Sequence, residues 1–494
     1  MRRIGWVFLI GLLALGCARE ERVEVDVFFT ADVQGFYFSR PEPRLDNQEA
    51  GGYAILKNFL QTRTTPFLLF DGGNWFGPSA EGTLSKDAYV TQLAASIPFT
   101  AGTLTDKDLA FGWPVARGIV KELNYPFVVS NLRLENQIPW PLHDYQIRTV
   151  EGIKFGIFGL MPSLAQNQAR LAGLSTIDPF ENAQHMATLL AEKEVDYIIV
   201  LSALGLSGAA GRSNTALASE VDHIDLILSS NQDNENPETE QINKTWIVYP
   251  GSKLDSVGKI TLQFDKSTHQ LKSTTFTDEP LLKNKYGQDE ALAAQAEKLL
   301  NQTRRNMARV VTTAKQEIKT DLKAQSALGS VLSQCLHRWA KLDGAILNAA
   351  SIRSSLPAGN VTEFDLYKTY PYGDNITYVT LKGAALTKAL EASLNMEDNF
   401  PQIAGFSVQY ADTPSGKKIT RVTLDNGRII RPQDTYRIAV TDHILAGGFG
   451  HEEFINALEF KSTFVEARQI MRSCLARQKP VAVPNYTNRW KLVQ

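Results

Sequence analysis

Short apolar runs alternate with amphipathic stretches through the first half of the chain. Runs rich in β-branched and aromatic residues predict buried strands, and they are Val25–Thr30, Phe67–Phe70, Phe127–Ser130, Lys154–Leu160, Tyr197–Ser202 and Ile224–Ser229. Apolar residues at helical spacing predict helices over Gly52–Gln61 and Asp178–Lys193. This alternation of strands and helices predicts an α/β layered domain.

The pattern weakens near Asp265 and then changes. Gln288–Met307 is rich in Ala, Leu, Glu, Gln and Arg and contains no Gly or Pro, which favours a helix. Because it separates two patterned regions, we interpret it as a connecting helix. The predicted organisation is a signal segment at 1–17, a first domain at 23–275, the linker helix at 286–308 and a second α/β domain at 309–494.

The N-terminus has the pattern of an export signal. Arg2 and Arg3 precede an apolar run, Ile4–Gly16, that is too short to span a bilayer comfortably. The run ends in Leu13–Cys17, which resembles a bacterial lipobox, in which the cysteine is lipidated. We therefore predict a lipoprotein of the bacterial cell envelope, anchored to a membrane and facing the periplasm or the exterior. A plain cleaved signal with a chance cysteine is the alternative.

Composition narrows the classes of partner. Of the 494 residues, 43% are hydrophobic and 21% charged, as in ordinary globular proteins. The net charge of −2 gives no reason to expect nucleic acid as a partner, although a nucleotide remains compatible with it. Cys335 and Cys474 are the other two cysteines. Their spacing leaves both a disulfide and two buried thiols open.

Polar motifs follow several predicted strands, at the edge where such sheets bind ligands. Thr30–Gly35, Asp71–Asn74 and Thr105–Gly112 stand where one family carries T-x-D-x-H-G, D-x-G-D and G-N-H-E-F-D-x-G. Leu201–Ala203 and Ser230–Asp233 fall on its L-S-H and G-H-x-H. The chain thus resembles the bacterial 5′-nucleotidase and cyclic-nucleotide phosphodiesterase family over nearly all of its mature length. The resemblance implies a four-layered α/β/β/α metallophosphatase-like sandwich, a linker helix and a second α/β domain of the 5′-nucleotidase C-terminal type.

The family's metal chemistry is where the sequence departs from the pattern. Family members hold two divalent ions with histidines and carboxylates, which polarise the phosphate and activate water. The corresponding positions here are Asp32, Gln34, Asn74, Asp106, Ala203, Asn231 and Asp233. Only Asp32 is unchanged, and the position of the catalytic histidine is Lys107. None of the seven histidines falls on a motif of the first domain, so we assign no catalytic residue and expect no histidine-ligated two-metal centre.

Three functional hypotheses remain open. The first is a degenerate family member that binds a ligand without hydrolysing phosphate esters. The second is an active nucleotide phosphohydrolase with an atypical metal site. The third is a site for a single Mg²⁺ or Ca²⁺, because the surviving donors are all oxygens, which these ions prefer. The ammonium of Lys107 opposes a cation there, and the first hypothesis, with no cofactor, is favoured.

Lys107 is itself the subject of a prediction. Carboxylates brought together without a metal repel one another. We expect the Lys107 ammonium to pair with Asp32, Asp233 or both, and the alternative is a lysine that points into solvent.

The second domain keeps more of the family's ligand-binding pattern. By the resemblance, Asn348 and Arg353 correspond to nucleotide-gripping residues, and Tyr372 keeps an aromatic that stacks on the base. His443 falls on a second stacking position, and Phe449 replaces an aspartate that binds the ribose hydroxyls. We expect a weakly bound nucleotide or nucleoside as the ligand.

Overall fold

The structure is a computed structural model that describes residues 21–76, 89–164, 173–205, 212–230, 236–396, 398–448, 451–485 and 489–493. The strands of the first domain are β1 Arg22–Thr30, β2 Arg40–Glu42, β3 Gln48–Ala50, β4 Phe67–Asp71, β5 Ala101–Gly102, β6 Leu132–Leu134, β7 Tyr145–Val150, β8 Ile153–Leu160, β9 Leu174–Thr176, β10 Tyr197–Ser202, β11 Leu226–Ser229, β12 Glu238–Ile242, β13 Thr245–Tyr249, β14 Ser256–Asp265 and β15 Leu271–Pro280. The helices up to the linker are α1 Tyr53–Gln61, α2 Trp113–Glu122, α3 Pro179–Glu192, α4 Asn214–Glu220, α5 Lys283–Tyr286 and α6 Glu290–Met307.

The first domain is a four-layered α/β/β/α sandwich. One sheet has the strand order β15-β14-β1-β4-β5 and the other β12-β13-β11-β10-β8-β7. Apolar side chains from both sheets, among them Phe29 and Ile199, form the core between them. Helices α1, α2 and α6 cover the first sheet, and α3 and α4 cover the second. The layered fold predicted from the resemblance is confirmed.

Most predicted elements are present with small changes at their ends. The strand predicted at Phe127–Ser130 is wrong, because this segment makes only single bridges, to Gly102 and to His143. The hairpin of β14 and β15 was not predicted. β15 is a partly exposed edge strand rich in polar residues, so it lacks the apolar run that marks the central strands.

The second domain follows helix α6. Its strands are β16 Val310–Ala314, β17 Gly344–Asn348, β18 Gly359–Thr362, β19 Asn375–Lys382, β20 Pro401–Ala404, β21 Phe406–Thr413, β22 Gly416–Leu424, β23 Thr435–Thr441, β24 Glu459–Glu466 and β25 Trp490–Leu492. Its helices are α7 Ala327–Ala340, α8 Glu363–Thr369, α9 Gly383–Leu394, α10 Asp442–Leu445 and α11 Ala467–Ala476. The main sheet has the order β20-β17-β23-β19-β24. Within the described ranges no helix combines the length and apolar character needed to cross a membrane.

A disulfide joins two helices of this domain. Cys335 in α7 and Cys474 in α11 are bonded, with their Cα atoms 5.7 Å apart. The alternative of two free thiols is therefore wrong. The two cysteines are separated by 139 residues, so the bond closes a long loop in the unfolded chain.

Breaking this disulfide should destabilise the second domain. Closing a loop of this length is worth about 4–5 kcal/mol in the chain-entropy treatment, so Cys335→Ala should lower the free energy of unfolding by several kcal/mol. Urea unfolding followed by circular dichroism measures the change. The matched double variant Cys335→Ala/Cys474→Ala should resemble the single one, and an unchanged midpoint on reduction of the parent protein would contradict the bond.

Candidate functional site

The loops after β1 and β4 form one rigid unit at the carboxyl edge of the first sheet. The amide of Asp32 donates to the carbonyl of Gly73 (3.2 Å), and that of Gln34 to Asn74 (2.9 Å). Asp32, Gln34 and Asn74 all have positive φ, between 50° and 56°. Non-glycine residues rarely adopt this conformation, and it is enriched at functional sites. The sequence motifs thus retain the backbone geometry of a site.

Within this unit the Asp32 carboxylate accepts hydrogen bonds from an amide and a phenol. The side-chain amide of Asn74 donates to Asp32 Oδ1 at 2.5 Å, and both residues are buried. The Tyr249 hydroxyl at the end of β13 is also hydrogen-bonded to Asp32. Burial, followed by the charge of Asp32, raises the pKa of Tyr249, so its hydroxyl stays protonated. An amide and a phenol therefore face the carboxylate that the family uses for a metal.

Asp108 anchors the loops after β4 and β5 to each other. Its carboxylate accepts from the amides of Asn74 (2.7 Å), Trp75 (2.8 Å) and Thr105 (2.9 Å), and from the Thr105 hydroxyl (3.0 Å). Burial raises the pKa of Asp108 to about 6, against the opposing effect of these hydrogen bonds. At neutral pH the carboxyl is therefore ionised and fully engaged in holding the site loops.

Lys107 does not form the predicted ion pair with Asp32. Its side chain is exposed, and no ion pair among the described residues includes it. Residues 106–109 form a short 3-10 helix capped by Thr105, and this turn buries Asp108 while its neighbour Lys107 faces solvent. The predicted pair with Asp32 is wrong, and Asp233 lies outside the described residues.

Among the described residues, the remaining metal positions supply few donors for a two-metal centre. Ala203 is buried and offers no donor atom. Asp106 lines a cavity farther along the same edge, and Gln34 is half-buried. Asn231 and Asp233 lie outside the described residues. In the described part of the chain, no group of three or more His, Cys, Asp or Glu side chains could hold a metal, and the donor of Asn74 points at Asp32, so these residues do not fit two divalent ions.

In the second domain, Asn348 is enclosed in a buried hydrogen-bond network. His451 Nε2 lies 2.9 Å from Asn348 Oδ1, and the Ser393 hydroxyl lies 3.0 Å from His451 Nδ1. Burial lowers the pKa of His451 to about 4, so the ring is neutral. The Asn348 amide nitrogen is buried and has no hydrogen-bond partner among the described residues. Sequence reasoning missed His451, which follows the late glycine motif by one residue.

The other predicted ligand residues lie at the surface. Arg353 is exposed and donates to the Ala350 carbonyl at 3.3 Å. Tyr372 is 41% exposed, with its ring edge-on to Tyr370 at 6.0 Å. His443 is exposed at the start of α10. Phe449 lies outside the described residues. The structure does not bring the other four predicted ligand residues, including the buried Asn348, into one pocket.

A cavity of about 200 Å³ lies between the two domains. Asp106 and Trp113 line it from the first domain, and Asn375, Asp442 and Phe464 from the second. Burial, and then the charge of the neighbouring Asp374, raises the pKa of Asp442. The sequence reasoning assigned no role to Asp442 or Phe464, since neither occupies a position that the family motifs mark.

The fold and this arrangement define a class: a metallophosphatase-like domain followed by a nucleotidase-type C-terminal domain. Residues 308–458 match the family model described as 5′-nucleotidase, C-terminal domain. The second domain thus matches the 5′-nucleotidase C-terminal domain, and the chain is similar to the 5′-nucleotidase family, as the resemblance in its motifs predicts.

Known relatives match at low identity. Over 411 residues the chain is 23% identical to endonuclease YhcR of Bacillus subtilis, covering 79% of this chain and 33% of that protein. It is 28% identical over 173 residues to a 5′-nucleotidase of Vibrio cholerae, covering 34% of this chain and 30% of that one. Cell wall protein Lmo0130 of Listeria monocytogenes is 22% identical over 445 residues, covering 77% and 56%. The chain thus spans about a third of the length of the first two.

Solved structures share the fold over both domains. A putative 5′-nucleotidase from Staphylococcus aureus superposes with a TM-score of 0.71 at 18% identity, covering 95% of this chain and 99% of that one. The 5′-nucleotidase precursor of Thermus thermophilus gives 0.61 at 19% identity, also covering 95% and 99%.

The structure predicts opposite outcomes for two neighbouring substitutions. Asp108→Asn should destabilise the first domain by about 2–3 kcal/mol, because an amide nitrogen would face buried donors that now bind a carboxylate. Lys107→Ala, the matched exposed neighbour, should change stability by less than about 0.5 kcal/mol. Urea unfolding of both variants measures this, and equal losses would contradict the roles given to the two side chains.

Proposed function

We propose that this protein is a non-hydrolysing member of the 5′-nucleotidase family, held in the bacterial cell envelope as a lipoprotein, that binds a nucleoside or nucleotide. The observation that carries the proposal is the hydrogen bond from the Asn74 amide to the buried Asp32 carboxylate. It lies at the position where the family's motif places a metal-bridging aspartate.

The physical reason is the charge of the bridging group. A bridging carboxylate binds two cations because it is an anion with lone pairs on both sides. The Asn74 amide is neutral and presents a donor to Asp32, so it stabilises that carboxylate in the way a cation would. Ala203 removes a further ligand, and the exposed Lys107 supplies no group at the buried Asp32. Each of these changes supports loss of the two-metal mechanism.

Two accessible side chains of the second domain, Arg353 and Tyr372, support ligand binding. Arg353 presents a guanidinium with donors in a fixed fork, which suits phosphate or ribose oxygens. Tyr372 presents part of its ring to solvent, as a stacking aromatic would. Both side chains are accessible without unfolding any element.

Two observations support the envelope location. The Cys335–Cys474 disulfide is of a kind that persists in oxidising compartments outside the cytosol. The Listeria relative is named a cell wall protein. Cys17, the proposed lipidation site, lies outside the described residues.

Metal content and turnover test the loss of hydrolysis together. After purification and desalting, we expect well under one equivalent of Mn, Mg or Ca and no release of phosphate from adenosine monophosphate or from a cyclic phosphodiester. An active metal-dependent 5′-nucleotidase serves as the control under the same added ions. Stoichiometric metal accompanied by turnover in the parent protein would refute the proposal and favour an atypical active site.

Replacing Cys17 tests the anchor. We expect Cys17→Ala, expressed with its own leader, to leave the membrane fraction, because the lipid is attached through that sulfur. Fractionation with an authentic lipoprotein as the marker measures the change. A variant that fractionates with membranes as the parent does would show that the lipobox interpretation is wrong.

A further inference from the structure

The chain enters the first domain at one end of the sandwich, which we call the amino tip. It comprises Glu21 and Arg22, the turn at residues 266–270 between β14 and β15, and Asp196 before β10. The amide of Lys266 donates to the Glu21 carbonyl at 2.9 Å. His269 Nδ1 lies 3.1 Å from Asp196 Oδ1, so the first sheet and the second sheet meet at this tip.

The candidate site lies at the opposite end of the domain. Strand β1 has 9 residues, and at about 3.3 Å per residue it rises about 26 Å from the amino tip. Asp32 follows β1, and Asn74 follows β4, which is parallel to β1. Lys107 is exposed in the turn after β5, which is parallel to β4. The edge that carries these residues therefore faces away from the amino tip.

The predicted lipid anchor is close to the amino tip in sequence. Three residues separate Cys17 from Glu21, and four residue steps span at most about 14 Å. The headgroup layer of one leaflet is itself about 5–8 Å thick. A lipid on Cys17 thus holds Glu21 within about 14 Å of the headgroups, whereas the candidate site lies about 26 Å farther along the domain. The tether therefore brings the amino tip to the lipid surface.

The amino tip carries charges of both signs. An open recess of about 750 Å³ is lined by Arg22 and Lys266 and by Glu21, Glu24 and Glu151. Lys266 Nζ lies 2.9 Å from Glu21 Oε2, and both side chains are exposed. Zwitterionic headgroups present a phosphate and an ammonium, so each sign of charge has a counterpart. The recess is not a polybasic surface of the kind that attracts anionic membranes, and the tether must supply the attachment.

We propose that the amino tip of the first domain lies on the phospholipid headgroups, and that the candidate site and the cavity between the domains open away from the membrane. This orientation rests on the proposed lipid anchor at Cys17. It leaves the proposed ligand-binding residues open to a ligand that arrives from the aqueous compartment.

Labels at four exposed positions test the orientation. Gln270→Cys places a fluorophore at the amino tip and Lys107→Cys places one at the site edge. His185→Cys in α3 and Lys298→Cys in α6 mark the two helical layers at the sides of the domain. The three native cysteines do not compete for the label, because one carries the proposed lipid and the other two form the disulfide.

Quenching from the lipid surface measures the height of each label. The full lipidated protein is added to preformed vesicles of phosphatidylethanolamine and phosphatidylglycerol that carry a headgroup-linked quencher. We expect the loss of fluorescence to be greatest at Gln270, smaller at His185 and Lys298, and least at Lys107. A loss at either helical layer equal to that at Gln270 would overturn the proposal, because the domain would then lie on its side. A greater loss at Lys107 would overturn it as well.

A longer tether tests the cause of the orientation. Twenty Gly and Ser residues inserted after Glu20 have a root-mean-square length of about 25 Å, which is comparable with the height of the domain. The domain can then turn on the membrane, so the loss of fluorescence at Gln270 should fall to that at His185 and Lys298. Unchanged quenching at Gln270 in this variant would overturn the tether as the cause.

The outcomes separate this orientation from the anchor on which it rests. Vesicle-bound protein with equal quenching at all four labels would overturn the orientation and leave the anchor standing. Parent protein that does not bind the vesicles would overturn both. A circular dichroism spectrum that matches the parent, recorded for each variant, rules out unfolding as the cause of altered quenching.

Discussion

Four hydrogen bonds converge on the Asp108 carboxylate, from the amides of Asn74, Trp75 and Thr105 and from the Thr105 hydroxyl. They tie the loop after β4 to the loop after β5, and the first of these is in turn paired with the loop after β1. An ionised group buried with its donors cannot leave without exposing all of them, so the three loops move as one. The position of Asn74, and through it the state of Asp32, depends on this anchor.

Held in this way, the first domain surrounds its buried carboxylates with hydrogen-bond donors. A buried carboxylate needs either a cation or several donors to remain ionised. The donors at Asp32 include the Asn74 amide, from the loop after β4, and the Tyr249 phenol at the end of β13. At Asp71 they are the indole of Trp75 (3.0 Å) and the hydroxyl of Tyr125 (2.8 Å). Neutral side chains thus supply donors to both buried carboxylates.

In the second domain, the predicted ligand residues are divided between the interior and the surface. Asn348 lies in a buried network with His451. Arg353, Tyr372 and His443 are exposed. The cavity between the domains is mainly apolar, and both domains contribute walls to it.

Much of the architecture could be predicted from the order of residues alone. Central strands such as β10 are continuous apolar runs, and the α6 helix is uninterrupted by Gly or Pro, so local pattern suffices to find them. Motif spacing also shows directly that Asn74 and Ala203 stand at positions where the family has metal ligands. The absence of histidine from these motif positions is therefore established by the sequence alone.

Only the tertiary structure decided what each remaining side chain does. Lys107 and Asp108 are adjacent in the chain, yet one is exposed and the other buried, because the capped turn after β5 points them in opposite directions. Asn74 and Tyr249, which hydrogen-bond to Asp32, lie 42 and more than 200 positions away from it in the chain. His451 lies 103 positions away from its partner Asn348. The disulfide joins cysteines separated by 139 residues. Hydrogen-bond partners and exposure are set by such long-range packing, which local pattern and motif spacing do not encode.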